Sequence, residues 1–264
     1  MKKHYALILG ASSGFGKSIS LELAKDGVNI IGVHLDRATT MPDVNQLIED
    51  IRSKGVEAHF FNVNAADASR RDTIISEIQK IFSSDKESTI KVLVHSLAFG
   101  TLRNFISGNP EECINQKQIE MTLDVMANSL VYWTQAVIFN KLMVSGGKIY
   151  AMTSSGGSKQ IEFYGAVSAA KACLESYVRQ LAMELGKIGI SVNAIRAGVT
   201  ETPALLKIPN SQKIIDNAKQ RNPQGRLTLP EEIAEYISDN YKRNSHWMTG
   251  NIINLDGGES VVEL

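Results

Sequence analysis

Seven short apolar runs alternate with helix-periodic segments along the chain. This alternation constrains the fold more tightly than any bulk property. The strand-like runs cover 5–9, 29–33, 57–61, 92–95, 147–152, 191–196 and 251–254. Helical patterns cover 14–26, 44–54, 68–82, 114–143, 164–186, 209–220 and 230–240. Strands separated by helices are the signature of βαβ units and of a parallel sheet. The expected fold is α/β and doubly wound, a seven-stranded parallel sheet flanked by helices. No repeat or low-complexity linker interrupts the pattern, and 264 residues suit one such domain, so 1–264 reads as a single unit. Ligands on these sheets bind beyond the carboxyl ends of the strands. The residues just after each strand are therefore the ones to read for chemistry.

After the first strand comes Gly10-Ala-Ser12-Ser13-Gly14-Phe15-Gly16, then a helix. Glycines let the backbone turn tightly and approach a pyrophosphate, and the helix start offers unpaired N–H groups. This order of strand, turn and helix marks a dinucleotide-binding Rossmann unit, although the spacing is G-x3-G-x-G. At the end of the second strand an acid would bind a ribose diol and a base a 2′-phosphate. His34 stands where an acid would be expected, and Arg37 follows three residues on. This points to NADPH, while Asp36 leaves NADH open. Asn62 and Val63 after the third strand can flank an adenine. Ser96, Leu97 and Ala98 after the fourth offer room for a ribose. His95, at the end of that strand, reads as structural.

Tyr164 and Lys171 fall in FYGAVSAAKACLESYVRQLAMEL, a long amphipathic pattern. Seven residues at about 100° each make almost two turns, so both side chains share one face, roughly 10 Å apart along the axis. A cation near a phenol favours phenolate-like character. A phenol so tuned can donate a hydrogen bond or a proton to an oxygen that gains charge. Lys plus Arg and Asp plus Glu are 28 each, which argues against a nucleic-acid partner. Cys113 and Cys173 give neither metal spacing nor a disulfide framework, so no metal is expected and a reducing cytoplasm fits. No apolar run reaches membrane-spanning length. The opening MKKHY leads at once into a strand-like run and reads as no targeting segment.

With these residues assembled, the chain resembles the short-chain dehydrogenase/reductase family over nearly its whole length. The resemblance rests on the glycine turn, Thr153-Ser154 after the fifth strand and the Tyr–Lys helix. It also rests on Asn193-Ala-Ile-Arg-Ala-Gly198 and on the closing Thr249-Gly250 and Asp256-Gly257-Gly258. Most members place tyrosine four residues before lysine, and here that position is Val167. The seven-residue spacing resembles the enoyl-acyl-carrier-protein reductases. So does His95-Ser-Leu-Ala-Phe, while AGVTETPALLKIPN (197–210) and NPQGRLTLPEEIA (222–234) are similar to their NADPH-using third type. The asparagine of many ketone-reducing members falls near Met126 and is absent. Ser154 stands where the commonest enoyl reductases carry a second tyrosine, and the third type also has serine there.

The resemblance implies reduction of the carbon–carbon double bond of a trans-2-enoyl thioester in fatty acid synthesis, with NADPH as cofactor and NADH open. Tyr164 would donate to the thioester oxyanion and Lys171 would bind the nicotinamide ribose. Ser154, with Thr153 as second candidate, would assist orientation. Gly198, Val199, Thr200 and Thr202 would seat the nicotinamide carboxamide and adjacent phosphate. Residues 200–230 read as a substrate lid. Ala204, Leu205, Leu206, Ile208 and Phe163 are candidate acyl linings, and Lys159, Lys207, Lys213, Lys219, Arg221 and Arg226 are candidates for a basic rim facing an acidic carrier protein. Helices apolar on more than one side, and the family, imply a homotetramer. The alternative is a 3-oxoacyl thioester or other carbonyl reductase. A third reading is a nucleotide-sensing protein without turnover.

Overall fold

Strands that are buried on both faces are near-continuous in apolar residues, and β1 (His4–Leu9, HYALIL) shows why. Tyr5, Leu7 and Leu9 enter one apolar core, while Ala6 and Ile8 enter a second on the other side of the sheet. A computed structural model describes residues 3–85, 87–243 and 245–263. Met1 and Lys2 of the opening segment lie outside the described residues.

The strands β2 (Asn29–His34), β3 (Ala58–Asn62), β4 (Thr89–His95), β5 (Lys148–Thr153), β6 (Ser191–Ala197) and β7 (Ile252–Leu255) join β1 in one sheet. All neighbouring pairs are parallel, in the order β3-β2-β1-β4-β5-β6-β7. The doubly wound seven-stranded sheet expected from the alternation is thus present. Strand order reverses between β1 and β4, where the chain crosses from one edge to build the other half. That reversal opens a crevice at the carboxyl ends of β1 and β4. Beside it stand the ends of β5 and β6, so the glycine turn, residues 96–100, Ser154 and residues 198–202 become neighbours.

The helices α1 (Gly14–Lys25), α2 (Met41–Arg52) and α3 (Ala68–Ser83) follow the first three strands. The expected single helix over 114–143 is instead three pieces. Asn115 caps α4 (Gln116–Leu123) through a reciprocal capping box with Gln118, which sets its start. A π-helical turn, Asp124–Asn128, then separates α4 from α5 (Ser129–Phe139). Its buried Val125, Met126 and Ala127 face α6 (Gly165–Leu185) and the sheet. Tyr164 is not inside α6 but caps it from just outside, following Phe163 at φ +64°. α7 (Ser211–Arg221) begins two residues later than expected, after Asn210 in the left-handed region at φ +59°. α8 (Pro230–Tyr241) completes the helical set among the described residues.

Candidate active site

The glycine turn is held by sterics that only glycine satisfies. Gly10 has φ +87°, and a Cβ there would run into the Ser96 carbonyl. A Cβ on Gly16 would strike the Gly10 carbonyl, so α1 starts in direct contact with the turn that precedes it. The Gly10 and Ala11 N–H groups donate to Val33 O at 2.8 and 3.2 Å. No side chain caps α1, and Ser13 leaves its hydroxyl out of the cap. The first N–H groups of the helix, with Ser12, Ser13 and Phe15 around them, suit a pyrophosphate. Thr202 closes the far side: a Cβ on Gly14 would stand 3.4 Å from its methyl. Behind it, Val199 N donates to Glu259 Oε2 at 2.9 Å and Thr200 Oγ1 donates to Gly198 O at 3.1 Å. Gly16→Ala should lower dinucleotide affinity by tenfold or more, since forcing a methyl into a packed contact costs about 1–3 kcal/mol. Fluorescence titration would measure it, with melting temperature as the check on folding.

The end of β2 differs from the expectation. The strand runs one residue further, to His34, and His34 is buried rather than presented to a ligand. Its Nδ1 lies 2.9 Å from Asp36 Oδ2. A carboxylate can only accept, so Nδ1 carries the proton. Thr40 Oγ1 donates to Asp36 Oδ1 at 2.9 Å. Burial alone would raise the Asp36 pKa, but hydrogen bonds from Ser12, His34 and Thr40 hold it below the ordinary carboxylate value. The Ser12 bond places this carboxylate directly beside the glycine turn. Arg37 is exposed. Asn62 accepts from Asp36 N at 2.9 Å and donates to Asp36 O at 3.0 Å, so it fixes the loop that presents the acid. Val63 follows it, its N–H bonded to His34 O at 2.7 Å.

Tyr164, Ser154 and Lys171 come together at the ends of β5 and α6. The Tyr164 ring lies against Gly156, where a Cβ would be 2.6 Å from ring carbon Cε1. Burial raises the phenol's pKa, and hydrogen bonding with Ser154 opposes that rise. The sequence reading expects a nearby cation to give the phenol phenolate character. Lys171 instead donates to Met152 O at 2.7 Å. Its ammonium is buried, which lowers its pKa to about 8, with Glu175 acting in the other direction. Tyr164 is therefore a protonated donor near neutral pH. Thr153 faces inward and donates to Glu175 Oε1 at 2.8 Å, which leaves Ser154 as the hydroxyl at the phenol.

His95, at the end of β4, is fully buried. Ser129 Oγ donates to Val125 O at 2.7 Å and so accepts from His95 Nε2 at 2.8 Å. Full burial, and then the Lys171 charge, push its pKa down to about 3. Beyond it, Ser96 N donates to Leu9 O at 2.8 Å, Leu97 packs half-buried against the core, and Ala98 is exposed.

The sequence reading missed the loop between β4 and α4. Phe105 rests on Gly165, where a Cβ would come within 2.8 Å of the ring. Phe99, Phe105 and Ile106 are exposed there, and Leu206 is exposed on the segment beyond Thr202. Phe105 thus reaches the residue next to Tyr164, while Leu206 follows Thr202, whose methyl faces the glycine turn. Phe163 and the candidate linings Ala204, Leu205 and Ile208 are half-buried. Of the proposed basic rim, Arg221 is paired with Glu259 at 3.0 Å and Arg226 with Glu232 at 2.6 Å. Lys159, Lys207, Lys213 and Lys219 are exposed. Cys173 is half-buried and packs against the apolar core. Among the described residues no His, Cys, Asp and Glu group could hold a metal ion, and no helix is long and apolar enough to cross a membrane.

Residues 10–260 match the family described as Enoyl-(Acyl carrier protein) reductase. Among curated proteins, an enoyl-[acyl-carrier-protein] reductase [NADH] of Bacillus subtilis is 29% identical over 201 residues, 72% of this chain and 76% of that protein. A 3-oxoacyl-[acyl-carrier-protein] reductase of Thermotoga maritima is 27% identical over 252 residues, 96% of each. Among solved structures, FabI of Candidatus Liberibacter asiaticus superposes with a TM-score of 0.85 at 24% identity, covering 100% of this chain and 97% of that one. The chain belongs to the short-chain dehydrogenase/reductase oxidoreductases, within the family described as enoyl-(acyl carrier protein) reductase.

Proposed function

We propose that this protein reduces the carbon–carbon double bond of a trans-2-enoyl thioester, with Tyr164 as the donor to the thioester oxygen. The observation that carries this reading is the arrangement around Tyr164. The phenol stands outside α6, seven residues before buried Lys171, and Met126 occupies the middle of the π-turn, the position where many ketone-reducing relatives carry an asparagine. Reducing a conjugated thioester places negative charge on the thioester oxygen. A preorganised hydrogen-bond donor there lowers the barrier, and a buried site strengthens it. Tyr164 is that donor, Ser154 orients it, and Lys171 holds the ribose of the cofactor. The exposed aromatic and aliphatic side chains on the two flanking segments supply an apolar groove for an acyl chain.

The glycine turn, Thr202 and Asp36 fit a nicotinamide dinucleotide. When bound, that cofactor supplies the hydride. Asp36 favours NADH over NADPH: an ionised carboxylate beside the turn accepts from a ribose diol and repels a 2′-phosphate. This revises the NADPH preference that His34 and Arg37 suggested. Acyl carrier protein is the proposed carrier of the acyl substrate, and a homotetramer the proposed assembly, with exposed Phe139 and Met183 on α5 and α6 supporting contact between subunits.

A second reading, reduction of a 3-oxoacyl thioester, is supported by the hydrogen bond between Ser154 and Tyr164, since a serine–tyrosine pair also serves a ketone oxygen. The test follows loss of reduced-nicotinamide absorbance with a trans-2-enoyl thioester and with the matching 3-oxoacyl thioester. Faster enoyl turnover supports the proposal. Turnover of the keto substrate alone replaces it with the second reading. Tight cofactor binding without either turnover would support the nucleotide-sensing reading.

A further inference from the structure

Glu175 is one helical turn beyond Lys171 and is only 7% exposed. A carboxylate buried to that degree needs partners. It has two. Thr153 Oγ1 donates to its Oε1 at 2.8 Å, and Arg196 Nη2 lies 3.2 Å from the same atom. Thr153 and Arg196 are register partners at the carboxyl ends of β5 and β6. Lys171, on the same helix, donates to Met152 O, the residue before Thr153. Two side chains of α6 thus clamp two successive residues at the end of β5, and Ser154 is the next residue along. The turn after Ser154 folds over the carboxylate, because a Cβ on Gly157 would approach Glu175 Oε1 to 2.8 Å.

We infer that Glu175 is a positioning residue of this site: its carboxylate locks the strand end that carries Ser154 and supplies the negative charge that Lys171 faces. The inference rests on the reading of Lys171 as the residue that holds the cofactor ribose. The other groups around Lys171 do not supply that charge. His95 on β4 is neutral above about pH 3, Tyr164 is protonated, and Arg196 on β6 is a cation that competes for the same carboxylate. Asp124 of the π-turn accepts from Tyr132 at 3.0 Å. On α4, Lys117 and Glu120 are exposed. Glu175 is the group that opposes the effect of burial on Lys171.

The experiment is NADH binding, followed by fluorescence from pH 6 to pH 10 without any acyl substrate, on wild type, Glu175→Gln, Thr153→Val and Arg196→Gln. Glu175→Gln keeps a hydrogen-bond acceptor and removes the charge. Lys171 should then lose its proton earlier, moving the alkaline loss of binding to lower pH by about one unit or more. Arg196→Gln should move it the other way, because the carboxylate is no longer shared. Thr153→Val removes no charge and should leave the limb in place, while it loosens the strand end that carries Ser154 and lowers the melting temperature. If Glu175→Gln does not fold, the upward shift in Arg196→Gln decides alone. An unmoved limb in both charge variants, with stability alone reduced, would overturn the inference and leave Glu175 a structural residue. Failure of wild type to bind NADH at any pH would instead sink the cofactor reading.

Discussion

Tyr164→Phe is expected to cut turnover by about 10²–10³-fold while leaving NADH affinity unchanged, the range for losing one aligned donor or proton-transfer group. The separation between the two readouts follows from the geometry. In the proposed reaction the phenol would face the substrate oxygen from outside α6, whereas the cofactor would contact the glycine turn, Asp36 and Lys171. Folding should hold, because the ring remains to pack against Gly156. Burial raises the phenol's pKa, so Tyr164 stays protonated from acidic through neutral pH. Any alkaline decline near pH 8 belongs to Lys171, whose lowered pKa makes it lose its charge there. A variant with full turnover would remove Tyr164 from the chemistry, and one with lost NADH binding would make it a structural or cofactor residue.

The second large effect concerns the choice of cofactor. Wild type should use NADH at least about 100-fold more efficiently than NADPH, since placing like charges together costs several kcal/mol. Asp36→Asn retains acceptors for Ser12 and Thr40 but removes the charge. The preference should then fall below about tenfold, chiefly through tighter NADPH binding. Asp36 is ionised throughout the working range because its three hydrogen bonds outweigh burial, so the preference should be flat from pH 6 to pH 8. Steady-state kinetics with both cofactors would measure it. A wild type that prefers NADPH would assign the 2′-phosphate to Arg37 after all.

What could be read in the chain, and what could not, divides along local and distant interactions. The seven strands were legible because a strand covered on both faces must be apolar at successive positions, as in Ala6 to Leu9 and Ile30 to Val33. The glycine turn was legible because backbone contact excludes a Cβ whatever the rest of the protein does. The π-turn was not. Asp124 to Asn128 continues the apolar pattern of its neighbours, and nothing in side-chain type marks a wider backbone turn. The place of Asp36 was not legible either: β2 extends to His34, which turns the histidine inward and brings the acid, two residues further on, to the glycine turn. Glu175 was invisible for another reason. A glutamate on a helix is ordinarily solvated, and its partners Thr153 and Arg196 are 22 and 21 residues away. A polar strand-end residue opposite a helix buried on most sides was the one available hint.

The residue before Tyr164 carries a consequence for how this protein could adapt to heat. Phe163 holds φ +64°, a conformation that costs a side-chain-bearing residue roughly 1–2 kcal/mol and glycine almost nothing. Selection for thermal tolerance alone should therefore replace it with glycine or asparagine, raising the melting temperature by roughly 2–4 °C per kcal/mol recovered. The same replacement would free the backbone that aims the phenol. Libraries screened only by heating should recover the change, and those screened by turnover should reject it. At this one peptide, endurance and speed are competing demands on the same side chain.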